Sequence, residues 1–473
     1  MVFSSTVFLF LFLPVFLAVY FLVPARFRSL WILAGSWFYY GWWRVDFMLL
    51  LVLTSVWAWF VGTRIAAHMK SGRARWWRTA GVFLPLAVLG YFKYFNFGVD
   101  TVSSVTMMFG GQGFSAWRVI LPVGISFYTF QIISYVIDVY RGTVPPATSF
   151  ADVAAYISLF PQLVAGPIVR YKEIASQFTK RPHGWDSFTA GVPRFMTGLA
   201  RKVLIADAVA PIADAVFATT DPSAATAWIG TLAYAVQIYF DFAAYSDMAI
   251  GLGRMMGFTL PENFNMPYLS GSITEFWRRW HMTLSAWLRD YLYIPLGGNR
   301  KGPGRTVVNL MVVMVLGGLW HGAAWSFVVW GAWHGAWLVA ERLFFRERAS
   351  SVGSPFYRIV TIVVVLISWI LFRAEGLGRA MNIVAGFAGF HGLGLQTTVM
   401  WQLTTGRVSA LVAGLLICVF EPAIARFLNT SGGNLTGGRI RLAITGVVVS
   451  LVFVVSVLRV AGGGFSPFLY FRF

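Results

Sequence analysis

Long uncharged apolar runs are the feature that most constrains how this chain can fold. The segments 7–23, 307–320 and 442–458 contain no charged residue. A helix needs ~20 mostly apolar residues to cross a bilayer, so these runs predict membrane spans. The 473 residues are 58% hydrophobic and only 12% charged, whereas roughly 25% of the residues in a soluble domain are charged. The chain is therefore predicted to be an all-α polytopic membrane protein.

The basic residues give this chain a net charge of +19, and most of them lie in a few loops between apolar runs. That distribution is the positive-inside pattern of membrane proteins, and it argues against nucleic acid as a partner. It places 68–75, 254–305 and the loop around Arg346 and Arg348 in the cytoplasm, and the loop 100–117, which has no basic residue, outside. Threading the runs gives about twelve spans with both termini periplasmic. The segment 153–168, broken by prolines and glycine, is predicted to be re-entrant.

The sequence predicts a single domain. No soluble appendage is visible, and the first 23 residues lack the basic start and small-residue cleavage site of a signal peptide. We expect one membrane domain, 1–473, with N-terminal spans in 1–145, a catalytic core in 146–345 and C-terminal spans in 346–473. The single cysteine, Cys418, excludes an internal disulfide and a cysteine-based metal site, and no metal site is predicted.

The first polar patch lies inside an otherwise apolar span. It contains Asp241, Tyr245 and Asp247. The helical period puts Asp241 and Tyr245 on one face and points Asp247 elsewhere, so the two carboxylates are not an obvious acid/base pair. A hydrogen-bond network between helices is the favoured interpretation, and a substrate path is the functional one.

The second patch, 275–301, alternates aromatic and basic residues, which is typical of a helix at the membrane interface. A plain interfacial anchor is one interpretation, but His281 and Arg289 are more polar than an anchor requires. The Gly-Gly-Asn-Arg-Lys turn at 297–301 would offer backbone N–H groups and positive charge to phosphates. The predicted donor-binding residues are Arg278, Arg279, Arg289, Asn299, Arg300 and Lys301.

The third patch centres on His321, which ends an uncharged span between glycines. Small neighbours are expected to leave room for a substrate beside its ring. A neutral imidazole can take a proton from a hydroxyl and return it to a leaving group. Trp320 and Trp325, with Asp241 and Tyr245, are predicted to line the substrate tunnel.

A second Trp-His-Gly occurs at His334, thirteen residues after His321 across a turn, which is not metal-ligand spacing. For His334, packing or a hydrogen bond is favoured over catalysis. His68, His183 and His391 lie in loops and are expected to be solvated. On the residues alone, an acyl-transfer enzyme and a proton-coupled transporter both stay open.

Three blocks, 239–251, 276–285 and 317–322, resemble those of the membrane-bound O-acyltransferase family, and are most similar to its alginate-acetylating branch. The resemblance extends to 1–5, 121–131, 160–170 and 471–473. It implies a ring of helices with re-entrant segments and a central polar tunnel. His321 matches the family's catalytic histidine, and His281 matches its second polar position. We expect His321 to act as general base and His281 to polarise the carbonyl of a thioester.

The same resemblance implies a bacterial inner-membrane enzyme with no bound cofactor. Acetyl-CoA would be the cytoplasmic donor, with a periplasmic acetyltransferase, another polysaccharide-modifying protein or the polysaccharide itself as acceptor, and membrane lipids around it. O-acetylation of an exopolysaccharide such as alginate is the favoured function. The alternatives are transfer of D-alanine from a carrier protein, acetylation of peptidoglycan or cellulose, and proton-coupled transport, although no internal repeat typical of transporters is found.

Overall fold

The computed structural model describes residues 1–182, 184–344, 355–429, 435–463 and 468–469, and every regular element in them is helical. Predictions on His183, on Arg346 and Arg348, and on the segment 471–473 fall outside the described residues. The chain divides into two compact units, one formed by 1–191 and 249–261 and the other by 192–248 and 262–473. The expected division into one membrane domain with three stretches stays a prediction.

The first unit is built around a cluster of stacked and edge-on aromatic rings. Phe160 lies at its centre, with ring centroids 5.1 Å from Phe16 and 5.4 Å from Phe12. The helices of this unit are α1 (Leu13–Leu22), α2 (Arg28–Gly41), α3 (Val45–Ala67), α4 (Arg73–Leu89), α5 (Phe95–Met108), α6 (Ile125–Arg141), α7 (Phe150–Ser158), α8 (Phe160–Leu163) and α9 (Tyr171–Thr179).

Two sequence expectations can be compared with this unit. The segment 153–168 is helical in two pieces, because α7 ends at Ser158 and α8 covers Phe160–Leu163; that it is re-entrant stays a prediction. The loop expected at 100–117 is wrong in its first half, since α5 continues to Met108. A shortage of basic residues indicates the side of the membrane and not the conformation. Helix-stopping glycines appear only at Gly110, with φ +81°, and Gly111.

The second unit contains the candidate site residues. The helices that lie mainly in it are α10 (Trp185–Ala200), α11 (Asp207–Ala218), α12 (Ala224–Met255), α13 (Ile273–Arg279), α14 (Met282–Leu288), α15 (Gly302–His321), α16 (Trp325–Phe344), α17 (Pro355–Arg373), α18 (Leu377–Phe387), α19 (Thr397–Met400), α20 (Thr405–Asn429) and α21 (Leu435–Ala461). Helices α15 and α16 form a hairpin in which glycines bring the two backbones together.

The acidic residues of α12 hold neighbouring segments in place. Asp241 is buried and pairs with Lys202 at 2.5 Å, and Lys202 also pairs with Asp207 at 2.7 Å. Asp247 instead pairs with Arg194 and Arg201, both at 2.9 Å. The two carboxylates therefore point apart, as the helical period predicted, and each belongs to its own ion-pair network.

Six helical segments are long and apolar enough to cross a membrane, judged by length and composition within the described residues. These are Val45–Ala67, Arg73–Met108, Gly302–His321, Pro355–Arg373, Thr405–Phe427 and Ala443–Ala461, with a shorter apolar segment at Phe8–Leu22. They agree with a multi-pass membrane protein. The count of about twelve spans and the sidedness of the termini stay predictions.

Candidate active site

His321 is the last residue of α15, and the chain leaves the helix through an extended Gly322. Its side chain is buried among aromatic rings, with 6% of the residue exposed. The ring centroids of Trp320, Trp330 and Phe372 lie 5.0, 5.1 and 5.4 Å from that of His321. Such an enclosure keeps water away from the imidazole and strengthens its electrostatic interactions.

The glycines beside His321 have a different role from the expected one. A Cβ on Gly318 would lie 2.2 Å from the carbonyl oxygen of Phe327, and a Cβ on Gly322 would lie 2.0 Å from the Phe327 ring. At Gly317 a Cβ would meet only Leu288, at an ordinary 3.5 Å. The prediction that these glycines leave room for a substrate is therefore wrong for Gly318 and Gly322, which are needed for the tight packing of α15 on α16.

His281 lies between α13 and α14 and is completely buried. Its ring centroid is 6.3 Å from that of His321 and 4.7 Å from that of Phe242. Its backbone is left-handed, with φ +44° and ψ +53°, which costs a non-glycine residue about 1 kcal/mol or more. A strained residue of this kind persists only where its surroundings hold it in place.

Asn263 provides that support. Its backbone carbonyl accepts a hydrogen bond from the Met282 N–H at 2.9 Å, and its side-chain Oδ1 accepts from Thr283 Oγ1 at 2.9 Å and from the Thr283 N–H at 3.4 Å. The Asn263 Nδ2 donates to Ser246 Oγ at 3.1 Å. Because a backbone N–H can only donate, the contact with Thr283 identifies the amide atom on that side as the oxygen.

The same oxygen fixes the proton of His281. Nδ1 of His281 lies 3.1 Å from Asn263 Oδ1, so Nδ1 carries the hydrogen and Nε2 carries the lone pair. Burial lowers the pKa of His281 to about 3, so the ring is neutral. A neutral ring with this tautomer accepts at Nε2 and cannot donate to a carbonyl oxygen. This tautomer argues against the expected polarisation of a thioester carbonyl by His281, whose catalytic role stays a prediction.

His334 has the opposite tautomer. Its Nδ1 accepts a hydrogen bond from the Trp277 indole N–H at 3.3 Å, which leaves its proton on Nε2. The ring is fully buried, stacks on Phe276 at 6.2 Å and stands edge-on to Trp330 at 5.0 Å. Packing and a hydrogen bond therefore account for His334, as the sequence favoured.

Glu341 near the end of α16 holds the start of α13, the helix that leads into His281. Its buried carboxylate accepts from the Ile273 N–H at 2.6 Å and the Thr274 N–H at 2.8 Å, and also from Thr274 Oγ1 at 2.6 Å and Tyr357 Oη at 3.0 Å. Sequence reasoning missed both Glu341 and Asn263. A glutamate within the apolar segment 325–344 was the available signal for Glu341.

The predicted tunnel residues lie in different surroundings. Trp320 is buried beside both histidines, with its ring centroid 6.1 Å from that of His281 and 5.0 Å from that of His321. Tyr245 is buried and packs 4.8 Å from Phe468, and Asp241 accepts from the Leu469 N–H at 2.8 Å. Trp325 begins α16 and is 53% exposed. Trp320 is thus the member of this set that contacts both histidines, and the tunnel role stays a prediction for all four.

Most of the predicted donor-binding residues are exposed. Arg278, Arg300 and Lys301 are exposed, while Arg289 pairs with Asp290 at 2.9 Å and Arg279 pairs with Glu275 at 2.8 Å. Donor binding at this surface stays a prediction.

The turn at 297–301 departs from its prediction. The N–H groups of Gly297, Gly298 and Arg300 donate to the carbonyls of Ile294, Tyr293 and Gly297, and the Asn299 side chain accepts from the Tyr293 hydroxyl. The N–H groups expected to hold phosphates are therefore used inside the turn at these three positions. A phosphate contact here would therefore rely mainly on the basic side chains.

The fold and the site define a helical, multi-pass membrane protein in which two histidines are buried side by side. The membrane-bound O-acyltransferase family model matches residues 145–381, which include all three patches. The chain belongs to the membrane-bound O-acyltransferase family and is an acyltransferase. It is therefore an enzyme, and the transporter alternative is set aside.

Curated relatives agree with this assignment. The chain is 46% identical to the probable alginate O-acetylase of Azotobacter vinelandii, over 100% of both chains. It is 36% identical to the peptidoglycan O-acetyltransferase of Helicobacter pylori, over 84% of this chain and 81% of that protein. It is 27% identical to the teichoic acid D-alanyltransferase of Bacillus subtilis, over 52% of this chain and 65% of that protein.

Proposed function

We propose that the protein is an O-acetyltransferase of the bacterial inner membrane. It takes acetyl from acetyl-CoA on the cytoplasmic side and passes it across the membrane for O-acetylation of an exopolysaccharide such as alginate. The name of the full-length relative from Azotobacter vinelandii supports the substrate class. The observation that carries the chemistry is the buried His321 beside His281, enclosed by aromatic rings.

In the proposed reaction His321 is the general base. It removes the proton of the acceptor hydroxyl as the hydroxyl oxygen attacks the acetyl carbonyl carbon. A tetrahedral intermediate forms, the carbon–sulfur bond breaks, and the proton on His321 passes to the coenzyme A thiolate. Atoms and charge balance without a cofactor. The apolar rings of Trp330 and Phe372 limit hydrolysis of the thioester by excluding water.

The proposed donor side is the exposed basic surface of Arg278, Arg289, Arg300 and Lys301. Arginine and lysine side chains suit the phosphates of coenzyme A. On the opposite side, the proposed acceptor is a periplasmic acetyltransferase or another polysaccharide-modifying protein, or the polymer directly. Both termini are proposed to be periplasmic, in accord with the positions of the basic loops.

The test uses the full chain in lipid vesicles with radiolabelled acetyl-CoA and no ion gradient. Release of free coenzyme A together with acetylation of alginate oligosaccharides, or of a co-reconstituted periplasmic acetyltransferase, is the expected result. Intact acetyl-CoA with no labelled acceptor on either side of the membrane would refute the proposal. The His321→Gln variant measures the background.

A second candidate function differs in the acyl group. The teichoic acid D-alanyltransferase of Bacillus subtilis matches about half of this chain, which favours the acetyl proposal over transfer of D-alanine from a carrier protein. The peptidoglycan O-acetyltransferase of Helicobacter pylori covers more of the chain and keeps the acetyl group while changing the acceptor. Supplying D-alanyl carrier protein or peptidoglycan fragments in the same vesicles separates these cases.

A further inference from the structure

His281 is the side chain whose protonation the structure defines most completely. Its Nδ1 donates to the side-chain oxygen of Asn263, Oδ1. The same oxygen also accepts from Thr283 Oγ1 and from the Thr283 N–H. The other edge of the ring, Nε2, is buried and has no hydrogen-bond partner within the described residues. A buried polar atom with no protein partner is a place where a substrate atom or a water is expected.

We propose that Asn263 is a positioning residue of the acyl-transfer site, which keeps the proton of His281 on Nδ1 and so keeps Nε2 as a hydrogen-bond acceptor beside His321. The inference rests on the proposed function of the two histidines. Asn263 acts through His281 and needs no contact with substrate.

The consequence for the reaction is electrostatic. When His321 takes the hydroxyl proton, its ring becomes a cation in a site of low polarity. In a neutral His281 with the lone pair on Nε2, the negative end of the ring dipole points away from Asn263. In the other tautomer, an N–H group would point in that direction instead. In histidine-based active sites, holding the wrong tautomer can cost up to ~10⁴-fold in turnover.

The spacing of the rings allows a substrate oxygen to contact both histidines. Their centroids are 6.3 Å apart, and a hydrogen bond to oxygen spans about 2.8 Å. A hydroxyl placed beside Nε2 of His281 would meet an acceptor nitrogen on that ring, with the ring of His321 next to it. The space near His281 therefore suits the hydroxyl group that receives the acetyl, because a hydroxyl can donate a hydrogen bond to Nε2. The carbonyl oxygen of the thioester cannot donate one.

The backbone at His281 points to the same role. Within the described residues, the non-glycine positions with positive φ are Met266 and His281, and His281 is the one that contacts Asn263. Asn263 holds the turn through its own carbonyl as well as its side chain. Strain of this kind is characteristic of sites that fix a side chain for function.

The groups around His281 make a pH test interpretable. From α12 it meets Phe242, from the segment before α13 it meets Asn263, and from α15 it meets Trp320 and His321. His321 is the titratable group among these contacts. A carboxylate introduced at position 263 would therefore act on the two histidines.

The experiment compares Asn263→Asp and Asn263→Ala with the wild type in vesicles, using acetyl-CoA as donor and coenzyme A release as the rate. The Asn263→Asp variant would keep the acceptor oxygen and the shape of the side chain. Its negative charge should raise the pKa of His281 from about 3 and move the acid limb that this ring sets in the rate–pH profile upward by about 1–3 pH units. Activity near pH 4–5 should fall while activity near pH 8.5 is retained.

Asn263→Ala removes the acceptor for Nδ1–H and should lower kcat by about 10- to 1,000-fold with little change in KM for acetyl-CoA. Ser246→Ala is the matched control, because it removes only the partner of Asn263 Nδ2. It should change kcat by a few-fold at most and leave the acid limb in place. The amount of folded protein in the membrane is measured for each variant.

The proposal is overturned if Asn263→Asp is folded and has the wild-type acid limb, or if Ser246→Ala moves that limb as far. Failure of the proposed function has a different signature. In that case either His321→Gln would keep full activity, or neither the wild type nor any variant would turn over acetyl-CoA. Both results are independent of the effect of replacing Asn263.

Discussion

Replacing Glu341 tests whether the site depends on the hydrogen bonds by which this carboxylate, which lies outside the site, holds the start of α13 (the Glu341 clamp). The carboxylate accepts four hydrogen bonds, two of them from the first backbone N–H groups of α13. Glu341→Ala leaves these buried donors without an acceptor, and each unsatisfied buried group costs about 1–3 kcal/mol. We expect a loss of about 3–5 kcal/mol in the free energy of unfolding, which is the range for large single-site effects.

Glu341→Gln refines the prediction. Glutamine keeps one carbonyl oxygen, so it can satisfy the donors at one carboxylate oxygen but not those at both. We expect a loss of about 1–3 kcal/mol, since hydrogen bonds to a charged acceptor are worth more than those to a neutral one. Both variants should also lose activity, because α13 leads directly to His281.

The assay is equilibrium unfolding of the purified protein in detergent micelles, together with coenzyme A release in vesicles. Asp100→Ala is the control, because it removes a carboxylate that pairs with Arg118 at an exposed site and should have little effect. Equal stability of Glu341→Ala, Glu341→Gln and the wild type would refute the clamp.

Three other predictions concern packing, donor binding and topology. Gly318→Ala should cost about 1–3 kcal/mol of stability by forcing α15 and α16 apart, whereas Gly317→Ala should be tolerated; equal melting temperatures of the two variants would contradict this. Arg300→Ala combined with Lys301→Ala should raise KM for acetyl-CoA more than it lowers kcat; an unchanged KM would remove this surface from donor binding. A cysteine at Gly304, in a background without other cysteines, should be protected from an impermeant thiol reagent in intact cells. Ready labelling would contradict the predicted cytoplasmic position of the basic region 254–305.

The sequence predicts the helical membrane fold and the polar patches because their signals are local. Uncharged runs of sufficient length mark spans, and the helical period shows that Asp241 and Asp247 point apart. These features need no knowledge of how distant segments pack.

The sequence fails where a residue acts through a distant partner. Asn263 lies 18 residues before His281 in the chain, and no spacing rule predicts that its amide would set the tautomer of that ring. Glu341 contacts Ile273 and Thr274 from another helix. The prediction of open space beside Gly318 and Gly322 fails for the same reason. The sequence shows that a Cβ is missing but not which neighbour fills the space.

His321 is the residue proposed to carry the acyl transfer, and its replacement is the decisive experiment. The quantity to measure is the rate of acetyl transfer from acetyl-CoA to alginate oligosaccharides by His321→Ala and His321→Gln, at matched amounts of membrane-inserted protein. His334→Ala, with the same Trp-His-Gly surroundings, is the control. General-base catalysis is worth about 10²–10⁴-fold, so both His321 variants should fall by that factor while His334→Ala falls only modestly. A His321 variant that is present at the normal level and transfers acetyl at the wild-type rate would contradict this role.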